Sequence, residues 1–311
     1  MASPKLSSRP GTAEGPILVV GKSGQLARSL MDLAAPYNTP MVSIGRPELD
    51  LADTASIEHA VATLSPSAMI NAAAYTAVDR AEAEPDSAYA INCDGAARLA
   101  AVAKQRGIPF IHVSTDYVFN GEKPSAYVES DVTAPLNVYG QSKLDGETAV
   151  LDACPWAVVV RTSWVYSLYG QNFVRTMLRL AATQQDVRVV DDQRGTPTSA
   201  PDLAAAIVEI VRQRDQARSH SGIYHLAGQG ETTWHGFASE IFAALSRHAL
   251  PTPRLHAILT QEYPTPARRP LNSCLDSSKA HAAFGVRLPP WQTSLDRCLD
   301  RLISQMELTT C

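Results

Sequence analysis

Pro16-Ile17-Leu18-Val19-Val20 runs directly into Gly21-Lys22-Ser23-Gly24-Gln25-Leu26-Ala27. The first five residues are apolar and rich in β-branched side chains, which suits a strand buried on both faces. The glycine turn is followed by a helical pattern through Leu30, Met31 and Leu33. Strand, glycine turn and helix, in that order, form the setting in which backbone N–H groups receive a pyrophosphate. Gly21 allows the tight turn, and Gly24 lets the backbone come near the phosphates. Ala27 replaces the third glycine and is still small enough for close helix–strand contact.

The same alternation continues downstream. Met41-Val42-Ser43-Ile44 reads as a second strand, ending in Gly45-Arg46 where an acidic residue would meet a free ribose hydroxyl. A guanidinium there suits a 2′-phosphate. Asp50-Leu51 either packs by an adenine or caps the next helix. Met69-Ile70-Asn71 ends a third strand, and Ala72-Ala73-Ala74-Tyr75 leaves room for a ligand across its carboxyl end. Pro109 to Val113 is a fourth strand, ending in Ser114-Thr115-Asp116-Tyr117-Val118-Phe119, whose hydroxyls are placed to bond a substrate oxygen. Ala157 to Val160 is a fifth, and Val187 to Val190 and Gly222 to Leu226 read as later strands of the same sheet, with helices at 172–182 and 201–213 between them. Strands alternating with helices imply an α/β fold, a doubly wound parallel sheet. From Gly228 the pattern turns helix-rich and proline-punctuated, as a smaller C-terminal substrate lobe would be. The expected division is a flexible tail over 1–15, a nucleotide-binding domain over 16–163 and about 187–228, and a lobe over about 164–186 and 229–311.

Composition narrows the class. The 311 residues are 45% hydrophobic and carry a net charge of −4, against the basic footprint of a nucleic-acid binder. No apolar run approaches the ~18 residues of a membrane helix. The five cysteines are scattered with no Cys-x-x-Cys spacing, so neither a zinc site nor a disulfide framework is expected. A soluble cytoplasmic protein follows.

Val138-Tyr139-Gly140-Gln141-Ser142-Lys143 carries the chemistry. Residues four apart share a helix face. An ammonium one turn from a phenol favours its ionised form and suits a general acid that protonates a carbonyl oxygen.

Together, Gly21-x-x-Gly24-x-x-Ala27, Ser114-Thr115-Asp116 and Tyr139-x-x-x-Lys143 resemble the extended short-chain dehydrogenase/reductases, whose nucleotide domain is Rossmann-like. Longer strings are similar to the dTDP-4-dehydrorhamnose reductase family: residues 71–79, 114–119, 135–140, 161–166 and 263–270. The resemblance covers the chain from about residue 16 onward. It implies that Gly21, Gly24, Gln25 and Leu26 bind the cofactor pyrophosphate, and that Ala73, Ala74, Tyr75 and Thr76 line the adenosine and ribose side. Tyr139 would be the proton donor and Lys143 would lower its pKa and hold the nicotinamide ribose. Thr115 stands where a catalytic serine is usual; Thr115, Asp116 and Trp164 would contact the sugar, and Asn92 matches an asparagine of the active-site helix. The implied reaction is NADPH-dependent reduction of a dTDP-4-keto sugar, with NADH as an alternative cofactor. Magnesium accompanies some family members, but no ligands are assigned here. A homodimer is compatible with the resemblance. A nucleotide-sugar epimerase or dehydratase carries the same Tyr-Lys pair, and a non-catalytic NADP-binding subunit resembling the regulatory partner of methionine adenosyltransferase has a similar chain; both readings stay open at this point.

Overall fold

The computed structural model describes residues 15–213 and 219–310; the expected tail therefore lies outside the described residues, except for Gly15. The chain opens with β1 (Ile17–Val20), α1 (Gln25–Asp32), β2 (Met41–Ile44), α2 (Thr54–Leu64) and β3 (Ala68–Asn71). Short helices α3 (Val78–Ala81) and α4 (Pro85–Tyr89) follow, and a π-helical turn at Ala90–Gly95 joins α4 to α5 (Ala96–Arg106). Next come β4 (Phe110–Thr115), α6 (Val138–Ala153), β5 (Val158–Thr162), β6 (Val165–Tyr166) and α7 (Phe173–Thr183). The unit closes with β7 (Asp186–Val190), β8 (Arg194–Gly195), β9 (Thr198–Ser199), α8 (Ala200–Arg212) and β10 (Gly222–His225).

Six of these strands form one parallel sheet in the order β2-β1-β3-β4-β5-β10. The side-chain period of two splits its core between the faces. Ile17 and Val19 join Leu30, Leu203 and Ile207 on the side of α1 and α8. Leu18 and Val20 join Ile57, Leu99 and Val150 on the side of α2, α5 and α6. Both faces are covered, which is why these strands are apolar throughout. The chain steps from β1 outward to β2 and then back across to β3. That reversal opens a crevice at the carboxyl ends of β1 and β3, where ligands of open α/β sheets bind.

A second core belongs to the lobe. It is built from α7 and the helices Trp234–Arg247 and Trp291–Thr310, around Met177, Phe237, Ile241 and Leu299. Here the structure corrects one expectation. Val187 to Val190 is not a strand of the main sheet: β7 pairs in parallel with Arg254–Ile258, and Val187 and Val189 face the lobe core. Asp186 and Arg188 are exposed, each followed by a buried valine. That alternation marks a strand with one wet face, and a central parallel strand would have none. Gly222 to His225 does join the main sheet, beside β5.

Candidate active site

The crevice holds a cavity of about 710 Å³. Its floor is the glycine turn. Gly21 has φ +123°, which an L side chain rarely adopts, and its N–H and C=O are held by Ile44 O and the Ser43 hydroxyl at 2.8 and 2.6 Å. Gly24 caps α1 without any side-chain hydrogen bond, and a Cβ built on it would meet nothing within 4 Å. Free N–H groups at a helix start beside open space fit a pyrophosphate. Gln25 and Leu26 line the same space, as do Ala73, Ala74 and Thr76 across the turn.

Gln25 also ties the turn to the lobe. Its amide accepts from Ser167 and Asn172, both at 2.9 Å, and donates to Val165 O at 3.3 Å.

Four expected cofactor residues lie outside the cavity lining. Tyr75 turns its hydroxyl to Glu84, at 2.6 Å, and its backbone is clamped by Asn92. Asn92 thus serves the packing of the turn against α6, where it also donates to Ser142 at 3.0 Å. Leu51 is buried in the core under α2 and α5. Asp50 accepts the N–H of Ala52 in a local turn, so it neither lines the cavity nor caps α2; that cap is Asp53, which accepts the N–H of Ala55. Arg46 is exposed past the end of β2. Lys22 lines the cavity and pairs with Glu48 at 2.7 Å.

The end of the cavity that holds the expected catalytic residues is formed by β4 and α6. Asn137 accepts the N–H of Gly140 and starts α6 directly in front of Tyr139. The Tyr139 ring is 9% exposed, lines the cavity and meets Tyr117 edge-on at 5.5 Å. Burial pushes its phenol up to about 12, and the facing Thr115 hydroxyl holds it down against that. Thr115 donates to Asp116 Oδ1 at 3.1 Å, while Asp116 Oδ2 is buried without a hydrogen-bond partner. Burial raises Asp116 to about 6, opposed by the Ser273 and Thr115 hydroxyls.

Ser114, by contrast, is committed elsewhere, donating to Glu147 at 2.5 Å.

Lys143 differs from the expectation that it depresses the phenol. Its Nζ donates to Val113 O at 2.6 Å and lies 3.1 Å from His112 Nε2, and burial brings the amine itself down to about 8. A group bonded away from its neighbour and losing its own charge at that pH is a weak depressor of the neighbour's pKa.

Trp164 closes the far wall with φ +48°, a strained value for a bulky residue, and stacks on Trp234 at 3.5 Å. Phe173, Trp234, Arg188, Tyr263 and Arg269 line a second cavity of about 620 Å³, and Tyr117 borders both. Arg269 pairs with Asp79 at 2.8 Å, yet its Nη1 is buried with no partner. The lobe segments reach this place only through folding. Thr162 and Ser163, at the end of β5 and within the 161–166 string, also line the first cavity, as do Gly170 and Gln171, which carried no sequence signal.

Among the described residues no group of three or more His, Cys, Asp or Glu could hold a metal ion, and no helix is long and apolar enough to cross a membrane.

Residues 15–304 match the family described as RmlD substrate binding domain. The chain is 46% identical over 289 residues to a dTDP-4-dehydrorhamnose reductase of Sinorhizobium fredii, covering 92% of this chain and 97% of that one. A crystal structure of such a reductase from Clostridium acetobutylicum has a TM-score of 0.86 at 34% identity, over 92% of this chain and 99% of that one. Another from Bacillus anthracis, in complex with NADP, also scores 0.86, at 33% identity over 93% and 99% of the two chains.

Proposed function

The chain belongs to the dTDP-4-dehydrorhamnose reductase family, and from that premise we propose that it reduces dTDP-4-dehydro-6-deoxy-L-mannose (dTDP-4-dehydro-β-L-rhamnose) to dTDP-L-rhamnose with NADPH. The observation that carries this reading is the grouping of Thr115, Tyr139 and Lys143 with the glycine turn around one cavity. NADPH, with NADH as a second choice, would lie from the turn at Gly21 and Gly24 towards Lys143, with its 2′-phosphate within reach of Arg46.

The bound nicotinamide supplies a hydride to the keto carbon. The protein's part is to hold the sugar and to deliver one proton. A phenol near 12 stays protonated at neutral pH. It gives up that proton only when the keto oxygen becomes an alkoxide, a far stronger base. Thr115, by turning its single proton away from Asp116 Oδ1, donates to the same oxygen and steadies its developing charge. The unpartnered Asp116 Oδ2 accepts from a sugar hydroxyl, and the Trp164 indole supports the ring. Arg188, Arg269 and Tyr263 offer cations and an aromatic face to the nucleotide end, in the second cavity. The proposed place of action is the cytoplasm, where a charged sugar nucleotide is retained.

NADPH oxidation followed on addition of the 4-keto sugar nucleotide tests the proposal. Wild-type protein should consume NADPH only with sugar present. Tyr139→Phe should bind NADPH and turn over about 10²–10⁴-fold more slowly. Wild-type protein that binds NADPH but oxidises none with the sugar would overturn it in favour of the binding-subunit reading.

A further inference from the structure

Asn71, His112 and Lys143 form a hydrogen-bonded chain from the end of β3, through the middle of β4, to α6; all three are at most 1% exposed. Asn71 Oδ1 accepts the backbone N–H of Ala73 at 3.1 Å, so Nδ2 is the atom that faces His112 Nδ1 at 3.0 Å. An amide nitrogen only donates. His112 Nδ1 must therefore accept, and the ring proton sits on Nε2. That N–H points at Lys143 Nζ, 3.1 Å away, while Nζ donates to Val113 O. Against an ammonium, Nε2–H would oppose donor to donor; against a neutral amine it meets a lone pair.

We propose that Asn71 and His112 are positioning residues for the reduction: Asn71 selects the Nε2–H tautomer, and that N–H favours the neutral amine of Lys143 and so sets the pH above which the lysine no longer offers a charge to the cavity it lines. This deepens the reductase reading and rests on it. Burial keeps His112 neutral, far below its ordinary value, with Lys143 adding to the effect. Burial also lowers Lys143, while Glu147 on its own helix opposes the shift. Glu147 is itself held by Arg161 of β5 and Ser114 of β4. At the end of β4, Asp116 lies beside the Tyr139 phenol. Towards α6, Glu82 bonds the N–H of Val138, and Cys93 of the π-helical turn lies near Asp145. None of these is hydrogen-bonded to Nζ, so the imidazole is the group whose proton placement acts on it.

The other buried histidine makes an internal control. His225 Nδ1 faces the Tyr127 carbonyl at 3.0 Å and must donate to it, so it carries the opposite tautomer. Nitrogen-15 NMR of histidine-labelled wild-type protein, without cofactor or sugar, should show two buried neutral imidazoles, one Nε2–H and one Nδ1–H. Two buried Nδ1–H rings, or a buried imidazole that titrates in the activity range, would overturn the proposal whatever the protein's substrate.

The second arm is kinetic. In Asn71→Asp the carboxylate accepts from Nδ1–H, the tautomer reverses, and Nε2 accepts from the ammonium. The alkaline limb of kcat/KM, expected near the value of about 8 for Lys143, should then move up by on the order of one pH unit. A uniform loss of rate with an unmoved limb would mark Asn71 as merely structural. Should Asn71→Asp fail to fold, the wild-type spectrum decides alone.

Discussion

Two buried carboxylates meet the end of β4, Glu147 from α6 through Ser114 and Asp116 directly after Thr115, and live differently. Glu147 receives Ser114 Oγ at 2.5 Å and a forked Arg161, Nη2 at 2.6 Å and Nε at 2.9 Å. Asp116, beside Ser114's neighbour Thr115, keeps Oδ2 buried outside any well-formed hydrogen bond although the Ser273 hydroxyl faces the carboxyl, and burial raises it to about 6. Glu147 belongs to the scaffold: its pair joins α6 to β4 and β5 and positions the strand ends. Asp116 belongs to the cavity. A buried charge left unsatisfied by its own chain is costly, and it is the group a bound hydroxyl would relieve. The lesson is that satisfaction, not burial, separates the carboxylate spent on the scaffold from the one left open to the cavity.

The strongest way to break the comparison is to remove Glu147 from its pair with Arg161, whose Nη1 is already buried without a partner. Glu147→Gln should cost roughly 3–5 kcal/mol of stability by leaving Arg161 buried and uncompensated, read as a lower urea midpoint at unchanged slope. Replacing both partners with methionine should recover most of that loss. If Glu147→Gln is neutral, the pair does not hold the scaffold together.

The same exchange at the unsatisfied carboxylate should have the opposite sign. Asp116 has a folded value near 6 against an ordinary 3.8, so its burden on stability is absent below pH 3.8 and grows as pH rises to 6. That difference corresponds to about 3 kcal/mol as an upper figure. Asp116→Asn should therefore stabilise the protein at pH 7 but not at pH 4, while slowing sugar-dependent NADPH oxidation. Thermal melts at the two pH values, set beside turnover, check it; equal shifts at both would show that Asp116 is ionised at little cost.

Arg46 extends the comparison to an exposed charge, and its effect should be the smallest. Loss of a charge-assisted contact to a 2′-phosphate corresponds to about tenfold in affinity, ~1.4 kcal/mol. Arg46→Ala should weaken NADPH by that amount, leave NADH unchanged and not move the melting temperature. Titration of both cofactors by protein fluorescence decides it, and equal losses for both would detach Arg46 from the phosphate.

Much of the fold was legible because its signals are local. Apolar runs before Gly21-x-x-Gly24, before Asn71 and before Thr115 mark strands by their own composition, and the turn after Val20 needs its glycines whatever surrounds it. Tyr139 and Lys143 share a face by helix geometry alone. The valines at 187 and 189 misled because their run is too short to reveal a partner; the exposed Asp186 and Arg188 were the only hint that one face is wet.

The sequence by itself therefore determined that a doubly wound sheet presents a glycine turn, a strand-end Thr115 and a Tyr-Lys helix at one edge. Tertiary structure alone decided where the long side chains go. Tyr75 found Glu84, Lys143 found His112 and Val113, and Trp164 found Trp234, seventy residues further along. These pairings follow from buried polar groups seeking partners and apolar rings seeking contact, across distances that no local pattern encodes. The pKa of each reacting group is set there too, because burial and partner are properties of the folded chain.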